Sequence, residues 1–154
     1  MNRSIILSSC LLLLVSMSAI GQQKTPKPAT TMPVLKTRWG NTLGGPVSVA
    51  QLKQIVDSPL VVFDTKGKRY AVTALTVRYW FNVSYKDEES GLQKTMREFR
   101  TVDLDGTDRL NELWRESIRD NVKAGDELVI TRILVSIPGN KRILAPDLKA
   151  TIRE

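Results

Sequence analysis

The sequence contains no histidine and a single cysteine, Cys10. Without an imidazole there is no Ser/His/Asp or Cys/His catalytic arrangement, and no His-rich or Cys-rich site for a transition metal. Aromatic residues are sparse as well, 6% of the chain, which leaves few platforms for stacking nucleic-acid bases. What is present is ordinary for a folded protein. Across 154 residues, 42% are apolar and 25% charged, so disorder along the whole length is excluded. The length suits one small domain with a tail. Lys and Arg outnumber Asp and Glu by 23 to 16, a formal charge of +7. Composition therefore points to a binding or structural module.

Met1 to Gly21 reads MNRSIILSSCLLLLVSMSAIG, with one cation at Arg3, an apolar run from Ile5 to Val15, and small residues ending Ala19-Ile20-Gly21. That is the pattern of a secretory leader cleaved after Gly21. A transmembrane anchor is the competing reading, but Ser8, Ser9, Ser16 and Ser18 interrupt the stretch, and a span needs about 20 mostly apolar residues. Cys10 comes too early in the apolar run to be a lipid-attachment residue. The expectation is an exported, periplasmic domain without cysteine and without a membrane anchor, held by its core alone.

From Gln22 to Pro33 the run QQKTPKPATTMP, with three prolines, reads as a flexible arm, and the folded domain is expected over residues 34–154. Arg38 to Pro46 reads as a glycine-rich turn; its spacing fits no nucleotide fingerprint. Ser48 with Gln51 three residues on makes a capping box, and Val47 with Leu52 a hydrophobic staple, for a first helix that Ser58-Pro59 stops. Leu60 to Phe63 is a short strand followed by the turn Asp64-Thr65-Lys66-Gly67-Lys68.

A long strand follows, in which Leu75, Val77, Tyr79, Phe81, Val83 and Tyr85 alternate with polar positions. Earlier in the run the apolar parity is even, at Tyr70, Val72 and Ala74, so a bulge is expected near Ala74-Leu75. After the loop Lys86 to Gly91, Thr95 to Val102 returns antiparallel, with Met96 and Phe99 adding apolar surface. A second helix, capped by Asp105 or Thr107, carries the stripe Leu110, Leu113, Trp114, Ile118 and Val122 and stops at Gly125. Glu127 to Ile137 and Lys141 to Arg153 are strands, turned by Pro138-Gly139-Asn140 and kinked at Pro146. The fold class is α+β: antiparallel strands with two packed helices in one small domain.

With His absent, catalysis would need paired carboxylates or a lysine nucleophile. Asp87-Glu88-Glu89 is clustered, but loop neighbours carry no spacing constraint, and a solvated turn accounts for them. Asp103 to Asp108 lacks the glycine position and the bidentate Glu of a calcium loop. No cofactor, metal or nucleic-acid site is expected. The partner-binding candidates are the basic turns, with Lys66, Lys68 and Arg69 in one and Lys141 and Arg142 in the other, together with Arg78 and Trp80 on the wetter face of the long strand. If both turns lie at one end of the sheet they make a basic rim, with Arg78 and Trp80 as an anchor beside it. The other reading of Trp80 is core beneath a second layer.

The run Gly40 to Ser48, the helix after it, LVVFD and the long alternating strand resemble the opening of the C-terminal periplasmic domain of the GldM/PorM family of gliding motility and type IX secretion in Bacteroidetes. Phe99, Gly106, the second helix, Ala124 to Leu128, VITRILVSI, Pro138-Gly139-Asn140 and Arg142 to Pro146 are similar to that domain's closing pattern. The resemblance implies a non-enzymatic protein-binding role at the far end of a periplasmic shaft that reaches toward an outer-membrane lipoprotein ring. The leader stands where the family has its membrane anchor, and the preceding shaft domains are missing, so only the distal binding role carries over. The alternative function is an exported carboxylate-dependent hydrolase, or an inhibitor of an extracellular enzyme.

Overall fold

A computed structural model of the chain describes residues 32–154, so the expected leader and all but the end of the arm lie outside the described residues. In chain order the elements are β1 (Leu35–Trp39), β2 (Gly45–Ser48), α1 (Val49–Ile55), β3 (Leu60–Asp64), β4 (Arg69–Lys86), β5 (Gln93–Asp105), α2 (Glu112–Asn121), β6 (Glu127–Ile137), β7 (Lys141–Leu144) and β8 (Leu148–Arg153). The fold is mostly β: one curled mixed sheet, a half-barrel, with two short helices.

The sheet is organised around β4, whose two apolar parities must both face the core. Val72 pairs with Val135 and Ala74 with Leu134, so Thr73 is an extra residue on β4; Thr76 then pairs with Thr131, which leaves an extra residue on β6. Arg132 takes a positive φ of 50° there. The bulge read from β4 is thus matched by one in β6, where the buried residues switch from Leu128 and Ile130 to Ile133 and Val135. Each strand changes parity at the same level, and the core side stays continuous.

Strand order is β1-β3-β4-β6-β8-β2, with β5 on β4 and β7 on β6. Its two ends, β1 and β2, are consecutive in the chain, so a five-residue connection curls the sheet back on itself. The hydroxyl of Thr37 donates to the carbonyl of Pro146 at 2.6 Å across that curl. Pairing is antiparallel apart from β2 on β8, which is parallel. Neither β1 nor β2 was expected, because Arg38 to Pro46 reads as one turn. Gly40 supplies the turn proper: its φ is +54°, and a Cβ there would lie 2.7 Å from Cγ2 of Ile55. Trp39, 1% exposed, packs in the core, and its indole N–H donates to the carbonyl of Ser58 at 3.0 Å.

The N-terminus of α1 forms largely as expected. The Ser48 hydroxyl accepts from the amide of Gln51 at 3.1 Å, and Val47 and Leu52 are both buried. The Gln51 side chain reaches instead to Oδ1 of Asn41, so the box is half made. The start of α2 differs. Asn111 is the cap, its Oδ1 accepting from the amide of Trp114 at 3.0 Å, while Thr107 closes a local turn onto the amide of Arg109. Leu110, Ile118 and Val122 are buried, Trp114 is half-buried and Leu113 is 77% exposed. Leu113 precedes Ile118 by five residues, about 140° around a helix, so it cannot share the inward stripe. Asp57 ties the helices together, accepting from Arg115 at 3.2 Å and from Arg119.

Candidate protein-binding surfaces

The β3–β4 turn is built by Asp64. Its carboxylate accepts from the amides of Lys66 (2.8 Å) and Lys68 (3.0 Å) and from the Tyr70 hydroxyl (2.9 Å), and Gly67 turns the chain at φ 80°. Burial acts to raise the Asp64 carboxyl, but the Tyr70 hydroxyl and the two amides outweigh it and hold it below the usual carboxylate range. With the acid turned inward, Lys66, Lys68 and Arg69 project into solvent. The β6–β7 turn uses positive φ at Gly139 and Asn140 and leaves Lys141 and Arg142 exposed.

Register brings the two turns together. Ala71 pairs with Ser136, and Ser136 with Arg142, so the start of β4 and the end of β6 share one end of the sheet. The same end carries two cations missed in the sequence. Lys36 pairs with Phe63, and Phe63 with Arg69, placing Lys36 and Arg69 in one row of the outer face, two strands or about 10 Å apart. Arg38 lies one alternation along, its guanidinium 5.7 Å from the Phe63 ring centre. Arg38, Val61, Phe63, Gly67 and Arg69 line a shallow notch of about 140 Å³. The Arg38 Nε is buried there without a hydrogen-bond partner. The alternation Leu35-Lys36-Thr37-Arg38-Trp39 would have signalled this face had β1 been recognised. Among the described residues, none of Lys36, Arg38, Lys66, Lys68, Arg69, Lys141 and Arg142 has a carboxylate within salt-bridge distance.

Arg78 and Trp80 are not beside this rim. They lie nine and eleven residues further along β4, about 30 and 36 Å of extended chain from Arg69. Trp80 is half-buried, covered by neighbours on its own face: Phe99 packs at 4.6 Å between ring centres, and the Arg97 guanidinium lies 5.1 Å from its ring. Arg97 and Lys149 both pair with Glu127, at 3.4 and 2.8 Å. The hydrogen bond from Lys149 is foremost in holding the Glu127 carboxyl below its ordinary range, against the opposing effect of burial.

A buried polar pair lies on the concave side. Asp126 is fully buried; its Oδ2 accepts from the Tyr79 hydroxyl at 2.5 Å and from the amide of Lys123 at 3.0 Å. Burial, reinforced by this carboxylate, pushes the Tyr79 phenol far above its ordinary range. Tyr79, Arg100 and Ser117 border two adjoining clefts of about 360 and 440 Å³ between α2 and the β4–β5 hairpin. At the tip of that hairpin Asp87 accepts from Ser90 and pairs with Lys94 at 2.6 Å, while Glu88 and Glu89 point to solvent. Asp103 accepts from the Thr76 hydroxyl at 2.6 Å, and the Gly106 amide donates to Thr73 beside it. Among the described residues no group of three or more Asp, Glu, Cys or His is gathered to hold a metal ion, and no helix is long and apolar enough to cross a membrane. Comparison of the sequence with protein-family models and with curated proteins gives no match, so the resemblance to the GldM/PorM domain rests on the turn, helix and strand residues quoted for it.

Proposed function

We propose that the chain is a non-enzymatic periplasmic protein-binding module, comparable in role to the distal domain of the gliding-motility and type IX secretion shaft, and that it docks an acidic segment of an outer-membrane lipoprotein partner. The observation that carries the reading is the uncompensated basic face: Lys36, Arg38, Arg69 and Arg142 on the outer surface of one end of the sheet, with Lys66, Lys68 and Lys141 around its turns. Such a face attracts acidic surfaces and speeds encounter. The Arg38 guanidinium, held beside the Phe63 ring in the shallow notch, gives a carboxylate a placed cation there. Periplasmic placement is supported by the leader at residues 1–21, and the class of partner by the family resemblance.

The test is crosslinking and capture from the native envelope, followed by binding of the captured lipoprotein to Arg69→Glu/Arg142→Glu and to Arg38→Gln at several salt concentrations. Wild-type capture should weaken with salt, and the double reversal should abolish it with the thermal midpoint nearly unchanged, because exposed charges contribute little to stability. Capture by the double reversal equal to wild type at low ionic strength overturns the reading.

A further inference from the structure

The two adjoining clefts between α2 and the β4–β5 hairpin, of about 360 and 440 Å³, meet at Tyr79, Arg100 and Ser117. Each falls within the range of about 300–1,000 Å³ usual for small-molecule sites. They differ in character. The one toward the start of α2 is walled by Leu113 and Trp114, and the one toward its end by Asn82, Asn121 and Lys123. Leu113 is largely exposed and Trp114 half-buried, so apolar surface stands open in the first. Arg100 marks the junction: it pairs across the ladder with Tyr79, and its guanidinium rests over the Phe81 ring, 5.3 Å from the centre.

The cations of the cleft are uncommitted to any acid. Among the described residues neither Arg100 nor Lys123 has a carboxylate within salt-bridge distance, and Lys123 Nζ donates to the backbone carbonyl of Asn82 at 2.6 Å. Two carboxylates belong to the same region, and neither lines a cleft. Asp126 is fully buried and accepts from the Tyr79 hydroxyl, and Glu98 lies one alternation along β5, opposite Phe81.

We propose that this double cleft binds a small amphipathic carboxylate, with its head on the Arg100 guanidinium and its apolar body along Trp114 and Leu113. A guanidinium offers a carboxylate two parallel donors, and one laid on an aromatic ring is held ready for it. An apolar body covering Leu113 and Trp114 removes their open surface from water. The floor of the cleft is the face of the β4–β5 ladder rather than a strand edge, so recognition falls to side chains. That suits one charged head on an apolar body better than the run of amides in a peptide, whose buried backbone groups would need partners. The site is on the concave side, away from the outer basic end, so this inference does not rest on the protein-binding reading.

The experiment is titration of the full chain, as processed by the expressing cell, with phenylbutyrate and with two probes of the same body, phenylbutanol and phenylbutylamine. Amide shifts in nuclear magnetic resonance read weak binding and locate it. The acid should bind about tenfold or more tighter than the alcohol, and the amine most weakly. Shifts should centre on Ser84, Arg100, Ser117 and Asn121. Arg100→Gln should lower affinity for the acid about tenfold and leave that for the alcohol unchanged, whereas Leu113→Ser should weaken both by about two- to fivefold. Both side chains are exposed, so neither change disturbs the core, and circular dichroism of each variant checks folding. No binding of the acid at millimolar concentration, an acid held no tighter than the alcohol, or an Arg100→Gln variant that binds the acid as wild type does overturns the proposal. So do shifts centred on the basic end around Arg69.

Discussion

Tyr79→Phe removes one hydroxyl and nothing else, which makes it the sharpest probe of how the concave side is held. The ring stays in the core against Phe81, 5.4 Å away between centroids, so the lost apolar burial is small. What disappears is the donor to a fully buried carboxylate. Asp126 keeps the amide of Lys123 on Oδ2, while its Oδ1 already has no partner among the described residues. A hydrogen bond to a charged group, lost in the interior, costs about 2 kcal/mol. Urea unfolding followed by tryptophan fluorescence should show this as a midpoint about 1 M lower, at a slope of about 2 kcal/mol per M. Alkaline pH supplies a second readout. The native phenol is raised above its ordinary 10.0 while the unfolded one ionises there, so above that pH the unfolded state has lost a proton the native state keeps. The hydroxyl's stabilisation is complete below pH 10.0 and declines as the pH rises beyond it, so the gap between wild type and Tyr79→Phe should narrow there. Tyr70, also raised, remains in both proteins and cancels from the difference. A midpoint change equivalent to less than about 0.5 kcal/mol, or a gap constant through the alkaline range, refutes the reasoning.

Trp39→Ala should cost about 3–5 kcal/mol, since a fully buried indole and its bond to Ser58 are lost together. Trp114→Ala, at a half-buried position on α2, should cost about 1–2 kcal/mol, and chemical denaturation of the two side by side tests whether the core lies under the curled sheet or under that helix. At acid pH, the Asp57 carboxyl is held below its ordinary 3.8, first by its hydrogen bond from Arg119 and against the effect of burial. Its stabilisation is fully present above 3.8 and is lost as the pH falls through the lowered native value, so Asp57→Asn should flatten the acid limb of the thermal midpoint against pH, and an unchanged limb would show that the clamp between the helices contributes nothing.

The strands legible in the sequence were those whose residues announce one wet and one dry face. In β4 the change of apolar parity between Ala74 and Leu75 located its bulge because Thr76, Arg78 and Asn82 mark the opposite, wetter face beyond it. β6 has the same break between Ile130 and Ile133, but VITRILV is apolar on both faces and hides it. β1 and β2 escaped for a different reason: they are short, adjoin three glycines, Gly40, Gly44 and Gly45, and are defined by partners far along the chain, β2 by β8. Losing β1 also lost Lys36 and Arg38, so only the turn half of the basic face was visible. The separation of Arg78 and Trp80 from that face required nothing but the length of an extended strand.

The paired bulges decide which residues can act together on the surface. Arg69 and Ala71 are odd-numbered and Arg78 and Trp80 even-numbered, so an uninterrupted β4 would send one pair outward and the other into the core. Inserting Thr73 rotates the strand once, and the extra residue at Arg132 rotates β6 with it, so both basic and aromatic positions emerge on the convex side while Tyr70, Val72, Leu75, Val77 and Tyr79 all face inward. A guanidinium at position 69 or an indole at position 80 pointed into that core would face desolvation or overpacking that a domain of this size cannot absorb. The bulge that conserves the hydrophobic interior is therefore the same device that lays the basic end and the Trp80–Phe99 strip along a single outer face, at its two extremes, where each can meet a different surface.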